Sequence, residues 1–302
     1  VLTAADWAVH EPANKDELKT ARVYVNFGVE SGVRLDDQLV RLANRRSLPT
    51  VAGDIVYTDG KVVMGIAPRG KVLARYADEG GIRLIASHLD QVGVVVSASD
   101  PPFQESFVDR YVVYCRITEL PLFIVLNKMD EAVEGIVERL AVYTAAGIDV
   151  YPVSAKRGRG MKALAERLKR GVTVLSGLSG VGKSTVINRL LGEDIPVQEL
   201  TKYGRGRHTT TSSEAYDFEG TLLIDTPGIK KFGLLGVAPE QVIRGFPDLE
   251  ALAGGCRWAG CLHDGESGCA IEAAVKAGTV SELRWRIYRE LIASARESAA
   301  GA

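Results

Sequence analysis

The chain has 302 residues, 46% of them hydrophobic and 25% charged, a balance that excludes wholesale disorder and favours two or three domains. A formal net charge of -1 excludes binding of nucleic acid by the overall field, so any such contact must come from local patches. No apolar run approaches the ~20 residues that span a bilayer, and residues 1–10 lack the basic and apolar regions of a signal peptide. A cytoplasmic location without a membrane partner is expected, and a start at Val1 leads us to expect residues before it.

Residues 1–20 read as irregular or weakly helical. Between 21 and 86 the pattern is short β-type runs with glycine-rich breaks, such as 21–28, 54–57 and 61–66. Strands at this spacing predict a small barrel or sandwich, and a five-stranded oligonucleotide-binding (OB) barrel fits the length. From 84 onward strands and helices alternate. The continuous apolar run 92–97 predicts a strand buried on both faces. Pro101-Pro102 stops it, and a helix is expected through 117. Then come a strand at 122–126, a helix to about 146, a strand at 148–153, a helix at 160–170 and a strand at 172–175. A further helix begins near 183, and 214–218 with 221–225 read as a hairpin turning at Glu219-Gly220. This alternation predicts a doubly wound parallel sheet. From about 239 the chain is helical around a Cys/His loop. The expected division is a barrel at 1–83, an α/β domain at 84–235 and a helical domain at 236–302.

Four motifs fall at the carboxyl ends of predicted strands, where open α/β sheets bind ligands. Residues 177–184 match G-x-x-x-x-G-K-[ST], here Gly177, Leu178, Ser179, Gly180, Val181, Gly182, Lys183 and Ser184, with Thr185 next. Such a loop turns backbone N–H groups toward phosphates, with Lys183 reaching the β/γ-phosphates and Ser184 holding Mg²⁺. Asp225-Thr226-Pro227-Gly228 ends a strand as the second phosphate motif does, with Asp225 toward Mg²⁺ and the Gly228 N–H toward the γ-phosphate. Alone it would also fit an ordinary turn. Asn127-Lys128-Met129-Asp130 supplies a carboxylate, Asp130, that can accept from guanine N1–H and the exocyclic amine, while the Lys128 stem lies across the base. Ser154-Ala155-Lys156 sits where a backbone N–H can reach guanine O6, although alone it reads better as a polar turn at a helix start. The four together predict a GTP site. Their order is permuted, since the base motifs precede the phosphate motifs. The segment after Gly228 therefore leads straight into the C-terminal part, a route for passing on a change at the γ-phosphate.

With these motifs, the run 85–92, the segment 204–211 and the cysteine cluster below, the sequence resembles the small-subunit-dependent GTPases of the RsgA/YjeQ family from about Arg41 to the C-terminus. The resemblance implies an OB barrel, a circularly permuted GTPase domain and a zinc-binding helical domain. It also implies a ribosome-stimulated GTPase acting on the small ribosomal subunit and its rRNA in late maturation. The stretch 191–204 is shorter than is usual in the family, which leaves the start of the first switch open.

Cys256, Cys261, His263 and Cys269 offer three thiolates and one imidazole, a complete set for one structural zinc with no position left for catalysis. Cys115 reads as plain core. Arg205, Arg207, His208 and Thr209 to Thr211 form the segment that the resemblance makes the first switch. Thr210 is the expected Mg²⁺ ligand, with the neighbouring Thr209 and Thr211 as alternatives, and His208 the expected water-orienting group. Ile229 stands where other GTPases place a water-orienting glutamine, so unstimulated hydrolysis should be slow. The expected catalytic set is thus His208, Lys183, Thr210 and Gly228. Arg41, Arg45, Arg46, Lys61, Arg69, Lys71 and Arg75 form a basic stretch on the expected barrel, an RNA-phosphate face or a solvated surface. Arg284, Arg286 and Arg289 are a weaker version of the same. A monomer binding GTP and GDP is expected. The alternatives are a permuted GTPase of the large subunit, which the barrel and the cysteine cluster disfavour, and a GTP-switched rRNA-binding module without catalysis.

Overall fold

The computed structural model describes residues 10–45, 48–76, 81–192, 212–228 and 232–300. A 3-10 turn at Lys15–Glu17 leads into β1 (Lys19–Asn26), followed by β2 (Glu30–Leu35), β3 (Gln38–Asn44), β4 (Ile55–Thr58) and β5 (Val62–Ile66). β1 pairs with both β2 and β4, and β3 pairs in parallel with β5, so the order 1-2-3-5-4 closes on itself as in an OB barrel. The β2–β3 turn places Asp36 and Asp37 at φ 48 and 62, the left-handed pair that a two-residue hairpin loop requires. Val23, Val33, Val56, Val63 and Ile66 fill the barrel at 0% exposure. Alternating burial along short strands is what the β-type runs predict.

A two-stranded hairpin, β6 (Leu73–Tyr76) and β7 (Ile82–Ala86), joins the barrel to the α/β domain. The latter runs β8 (Gln91–Ser97), α1 (Glu105–Thr118), β9 (Leu122–Asn127), α2 (Ile136–Ala145), β10 (Asp149–Pro152), α3 (Met161–Leu168), β11 (Thr173–Ser176), α4 (Lys183–Leu191), β12 (Glu214–Phe218) and β13 (Thr221–Asp225). The expected helix up to about 146 divides into a 3-10 turn at Met129–Glu131 and α2, because the base-motif loop lies between β9 and the helix. In space the sheet runs β10-β9-β8-β11-β13-β12, parallel except for β12. All seven residues of β8 are buried, as its continuous apolar run predicts for a central strand covered on both faces. The β12–β13 turn sits at Glu219 (φ 49) and Gly220 (φ 83), the predicted position. The outer edge of β12 pairs with β1 of the barrel at Val25–Glu214, which covers an otherwise open sheet edge.

A 3-10 segment (Pro239–Gly245), α5 (Pro247–Ala253), α6 (Ala270–Lys276) and α7 (Glu282–Ala300) form the C-terminal part around Phe246, Leu249, Ile271, Leu291 and Ile292. It packs on α1. Gly245 lies so close to Val113 that a Cβ would come within 2.3 Å of its side chain. Arg284 bonds Asp109 at 2.8 Å and Asp248 at 3.0 Å, and Arg110 bonds Glu290 at 3.1 Å. Among the described residues no helix is long and apolar enough to cross a membrane.

Candidate nucleotide site and metal centre

The four motif loops meet at one edge of the parallel sheet. β11 ends at Ser176, the loop from Gly177 turns through Gly180 (φ 84) and Gly182 (φ 90), and α4 begins at Lys183. Positive φ at these two positions is what glycine allows at no steric cost. A Cβ on Gly182 would also stand 2.4 Å from the Asn127 amide nitrogen. Lys183 is buried, and its ammonium donates to the carbonyls of Gly177 (2.9 Å) and Leu178 (3.4 Å). Burial pulls its pKa below the ordinary lysine value, and Asp225 opposes that shift. Ser184 and Thr185 lie exposed in the first turn of α4, where helix N–H groups face an anion, and Ser179 and Gly180 are exposed in the loop. Val181 is buried against the core.

Asp225 ends β13 beside this loop. Its Oδ1 is buried and bonds no other group among the described residues, and burial raises its carboxyl to about 6, with Lys183 lowering it and Glu214 raising it. A buried, unpaired carboxylate oxygen next to a phosphate loop suits a Mg²⁺ shell. Thr226 ties the second phosphate motif to β11, the strand that leads into the 177–184 loop, its hydroxyl donating to the Leu175 carbonyl at 3.0 Å. Gly228 packs against Ser179, whose Cα would lie 3.3 Å from a Cβ there. Ile229, Arg205, Arg207, His208 and Thr209 to Thr211 lie outside the described residues.

The base motifs are knitted to the phosphate loop by a residue whose structural work the motif match did not foresee. The Asn127 amide donates to the Val181 carbonyl at 3.0 Å and accepts from the Ala155 N–H at 3.1 Å. One side chain thus spans three motifs. The signal was an amide, which carries a donor and an acceptor together. Lys128 follows with φ 64, and its ammonium bonds the Asp100 carbonyl. The buried Ser154 hydroxyl donates to Asp130 at 2.6 Å, and this bond is the main reason the Asp130 carboxyl sits below its usual value. Arg157 lies 3.8 Å from the same carboxylate. Met129 N–H to the Val153 carbonyl (3.1 Å) holds the two base loops in register. Lys156 is exposed and paired with Glu131 at 3.2 Å.

Cys256, Cys261, His263 and Cys269 bring their ligand atoms within 4.8 Å of one another. His263 turns Nδ1 toward Cys256 (3.3 Å) and Cys269 (3.5 Å). Backbone N–H groups of Ala270 and Glu272 point at the sulfurs of Cys256 and Cys269, a pattern that stabilises thiolates. Burial raises the Cys261 and Cys269 thiols above the ordinary value, so they would sit together as thiolates only with a cation in place of their protons. Tyr288 and Trp285 donate to the Leu262 and His263 carbonyls at 3.0 and 3.2 Å and hold the loop on α7. The donor set and its spacing fit one tetrahedral zinc. Cys115 is buried core, as expected.

The basic stretches are not uniform faces. Arg69 is 5% exposed and makes a two-pronged ion pair with the fully buried Asp54 at 2.8 and 2.7 Å. Asp54 also accepts from Ser87 (2.6 Å) and the Val51 N–H (2.9 Å), so Arg69 closes a core network and faces no RNA. Lys71 bonds the Glu119 carbonyl, and Arg41 bonds Glu30 (3.5 Å) while lying over Phe27. Arg45 and Lys61 are exposed on the barrel, and Arg46 lies outside the described residues. Arg284 is likewise committed, as the half-buried partner of the fully buried Asp109, and Arg289 pairs with Asp264 at 2.6 Å. Composition alone cannot separate a basic face from an arginine committed to a distant carboxylate.

Residues 66–235 match the family model of the RsgA GTPase. A small ribosomal subunit biogenesis GTPase RsgA from Actinobacillus pleuropneumoniae serotype 5b (strain L20) is 38% identical over 247 residues, covering 78% of this chain and 71% of the relative. The protein of that name from Pectobacterium carotovorum subsp. carotovorum (strain PC1) is 36% identical over 288 residues, covering 89% and 82%. In fold the chain is similar to YjeQ from Thermotoga maritima (TM-score 0.68, 24% identity, 92% of this chain and 99% of that one). It is also similar to YloQ, a circularly permuted GTPase (TM-score 0.67, 22% identity, 95% and 98%). The permuted order of the motifs, their meeting at one sheet edge and these relatives lead to one conclusion: the chain belongs to the RsgA GTPase family and hydrolyses GTP.

Proposed function

We propose that GTP binds where the four motif loops meet and that its hydrolysis serves late maturation of the small ribosomal subunit. The observation that carries the nucleotide reading is the Asn127 bridge from the phosphate loop to the Ala155 N–H, with Asp130 oriented by Ser154 beside it. In this reading Asp130 accepts from guanine, Lys128 covers the base, and the 154–156 loop reads O6. Residues 177–185 wrap the phosphates with Lys183 at the β/γ bridge, and Gly228 donates to the γ-phosphate. Ser184, Asp225 and Thr210 would hold Mg²⁺, which neutralises charge building between the phosphates. His208 would orient the attacking water, since the Ile229 side chain has no polar atom to do so. The division at 1–83, 84–235 and 236–302, the single structural zinc, a monomer and a cytoplasmic setting complete the proposal.

The small-subunit part rests on what the curated relatives are named for. The exposed Arg45 and Lys61 on the barrel offer phosphate contacts for rRNA. Single-turnover hydrolysis with small, large or no subunits, at two salt levels, tests it. Small subunits should stimulate by at least about tenfold and more than large subunits, in a salt-sensitive way. Equal stimulation by both, or by neither, would leave only the GTPase assignment. With small subunits present, His208→Ala should lower turnover while nucleotide affinity holds.

A further inference from the structure

Helix α1 carries two tyrosines that nothing in the nucleotide reading uses. Tyr111 is fully buried, and its hydroxyl shares a 2.6 Å hydrogen bond with Ser176, the residue just before the phosphate loop. The Ser176 hydroxyl also lies 3.5 Å from the Thr226 hydroxyl, in the motif that follows Asp225. The ring of Tyr111 stacks on Phe232 with centroids 4.1 Å apart and planes 17° from parallel. Tyr114 meets the same phenylalanine edge-on at 5.4 Å, and its hydroxyl donates to the Val72 carbonyl at 2.9 Å in the joining segment. Phe232 comes soon after Gly228 in the chain and is 1% exposed. The other contacts of α1 lead to the C-terminal part: Asp109 to Arg284, Arg110 to Glu290 and Val113 to Gly245.

A hydroxyl in a helix core needs only one partner, and a backbone carbonyl would serve as well. Here the partner is the residue that sets where the phosphate loop starts, and the ring above it grips the chain just beyond the γ-phosphate motif. We propose that Tyr111 and Phe232 are positioning residues for GTP hydrolysis. The Tyr111–Ser176 bond fixes the phosphate loop against Thr226. The Tyr111–Phe232 stack fixes the chain beyond Gly228. Through α1 both are connected to the C-terminal part. The two elements whose spacing sets γ-phosphate geometry are thus anchored on one side chain. Misplacement at this scale acts on the reaction rate more than on ground-state binding.

The inference rests on the nucleotide reading of the 177–185 loop, and GTP binding by the unsubstituted chain is the control that tells the two failures apart. Tyr111→Phe removes the hydroxyl and keeps the stack. Ser176→Ala removes the other end of the same bond. Each should lower single-turnover hydrolysis at saturating GTP by roughly three- to tenfold, the size of one neutral hydrogen bond, with GDP affinity within about twofold. The double variant should be no slower than the slower single, because both delete one interaction. Phe232→Leu keeps an apolar side chain and loses the stack. It should erase the difference in α7 hydrogen exchange between the GDP state and a non-hydrolysable GTP analogue. A merely structural role would lower melting temperature in all variants and leave the saturating rate, the double-variant coupling and the exchange difference unchanged. That result, multiplicative effects in the double variant, or no exchange difference in the unsubstituted chain would overturn the proposal.

Discussion

Replacing Asp130 with asparagine separates what this side chain does for the fold from what it does for the base. In the structure its Oδ1 accepts the Ser154 hydroxyl at 2.6 Å, and an asparagine carbonyl oxygen can accept the same bond. The other contact is Arg157 at 3.8 Å, whose side chain is 65% exposed, so losing it costs almost nothing in water. The melting temperature of the nucleotide-free protein should therefore move by no more than about 2 °C. Nucleotide affinity should respond very differently. Two charge-assisted bonds from guanine would face an amide that has one acceptor and one donor pair. One such bond, worth about ten- to a hundredfold, is lost and the other loses its charge assistance, so GTP affinity should fall by at least about 10- to 100-fold. Xanthosine triphosphate carries an oxygen where guanine has its amine and should gain in proportion. Competition between the two nucleotides for wild type and Asp130→Asn, alongside thermal melts, measures both. A variant that keeps its GTP preference, or one whose melting temperature collapses, would refute the assignment of Asp130 to the base.

Elemental analysis should find one zinc per chain, and Cys261→Ala or prolonged chelation should lower the melting temperature while GTP binding persists, because the cluster lies in the C-terminal part. Arg69→Ala should destabilise by about 3–5 kcal/mol in denaturant titrations, since it strands the buried Asp54 carboxylate, whereas Arg45→Ala should weaken subunit binding and leave stability alone. Burial raises the Asp109 carboxyl to about 6 against an ordinary 3.8, with Arg284 opposing the shift. The folded state then holds more protons than the unfolded state between these values, so this group's contribution to stability falls as pH rises through that window. Asp109→Asn should accordingly gain on wild type by on the order of 1 kcal/mol between pH 5 and pH 7.5 in paired melts; a constant difference would mean that Asp109 is already ionised at pH 5.

The elements that bind phosphate and base were legible because their chemistry is local in the chain. A loop of 177–185 that turns twice through left-handed glycines, or an Asn127-to-Asp130 run at a strand end, is specified by consecutive residues. The order of those runs made the permutation visible in the chain alone. The cysteine cluster was legible for the same reason, since its four ligands fall within fourteen positions, 256 to 269. What remained hidden depended on partners far away in the chain. That Arg69 belongs to Asp54 and Arg284 to Asp109 follows from burial, which neither residue type nor spacing encodes. That Asn127 bridges two loops, and that Tyr111 reaches Ser176, requires β9, β11 and α1 to be packed before either bond exists. The barrel closure through β1–β4 and the join of β1 to β12 are likewise long-range pairings. Short strands carry only their own alternation of apolar and polar residues, and this says which face is buried but not which neighbour lies alongside.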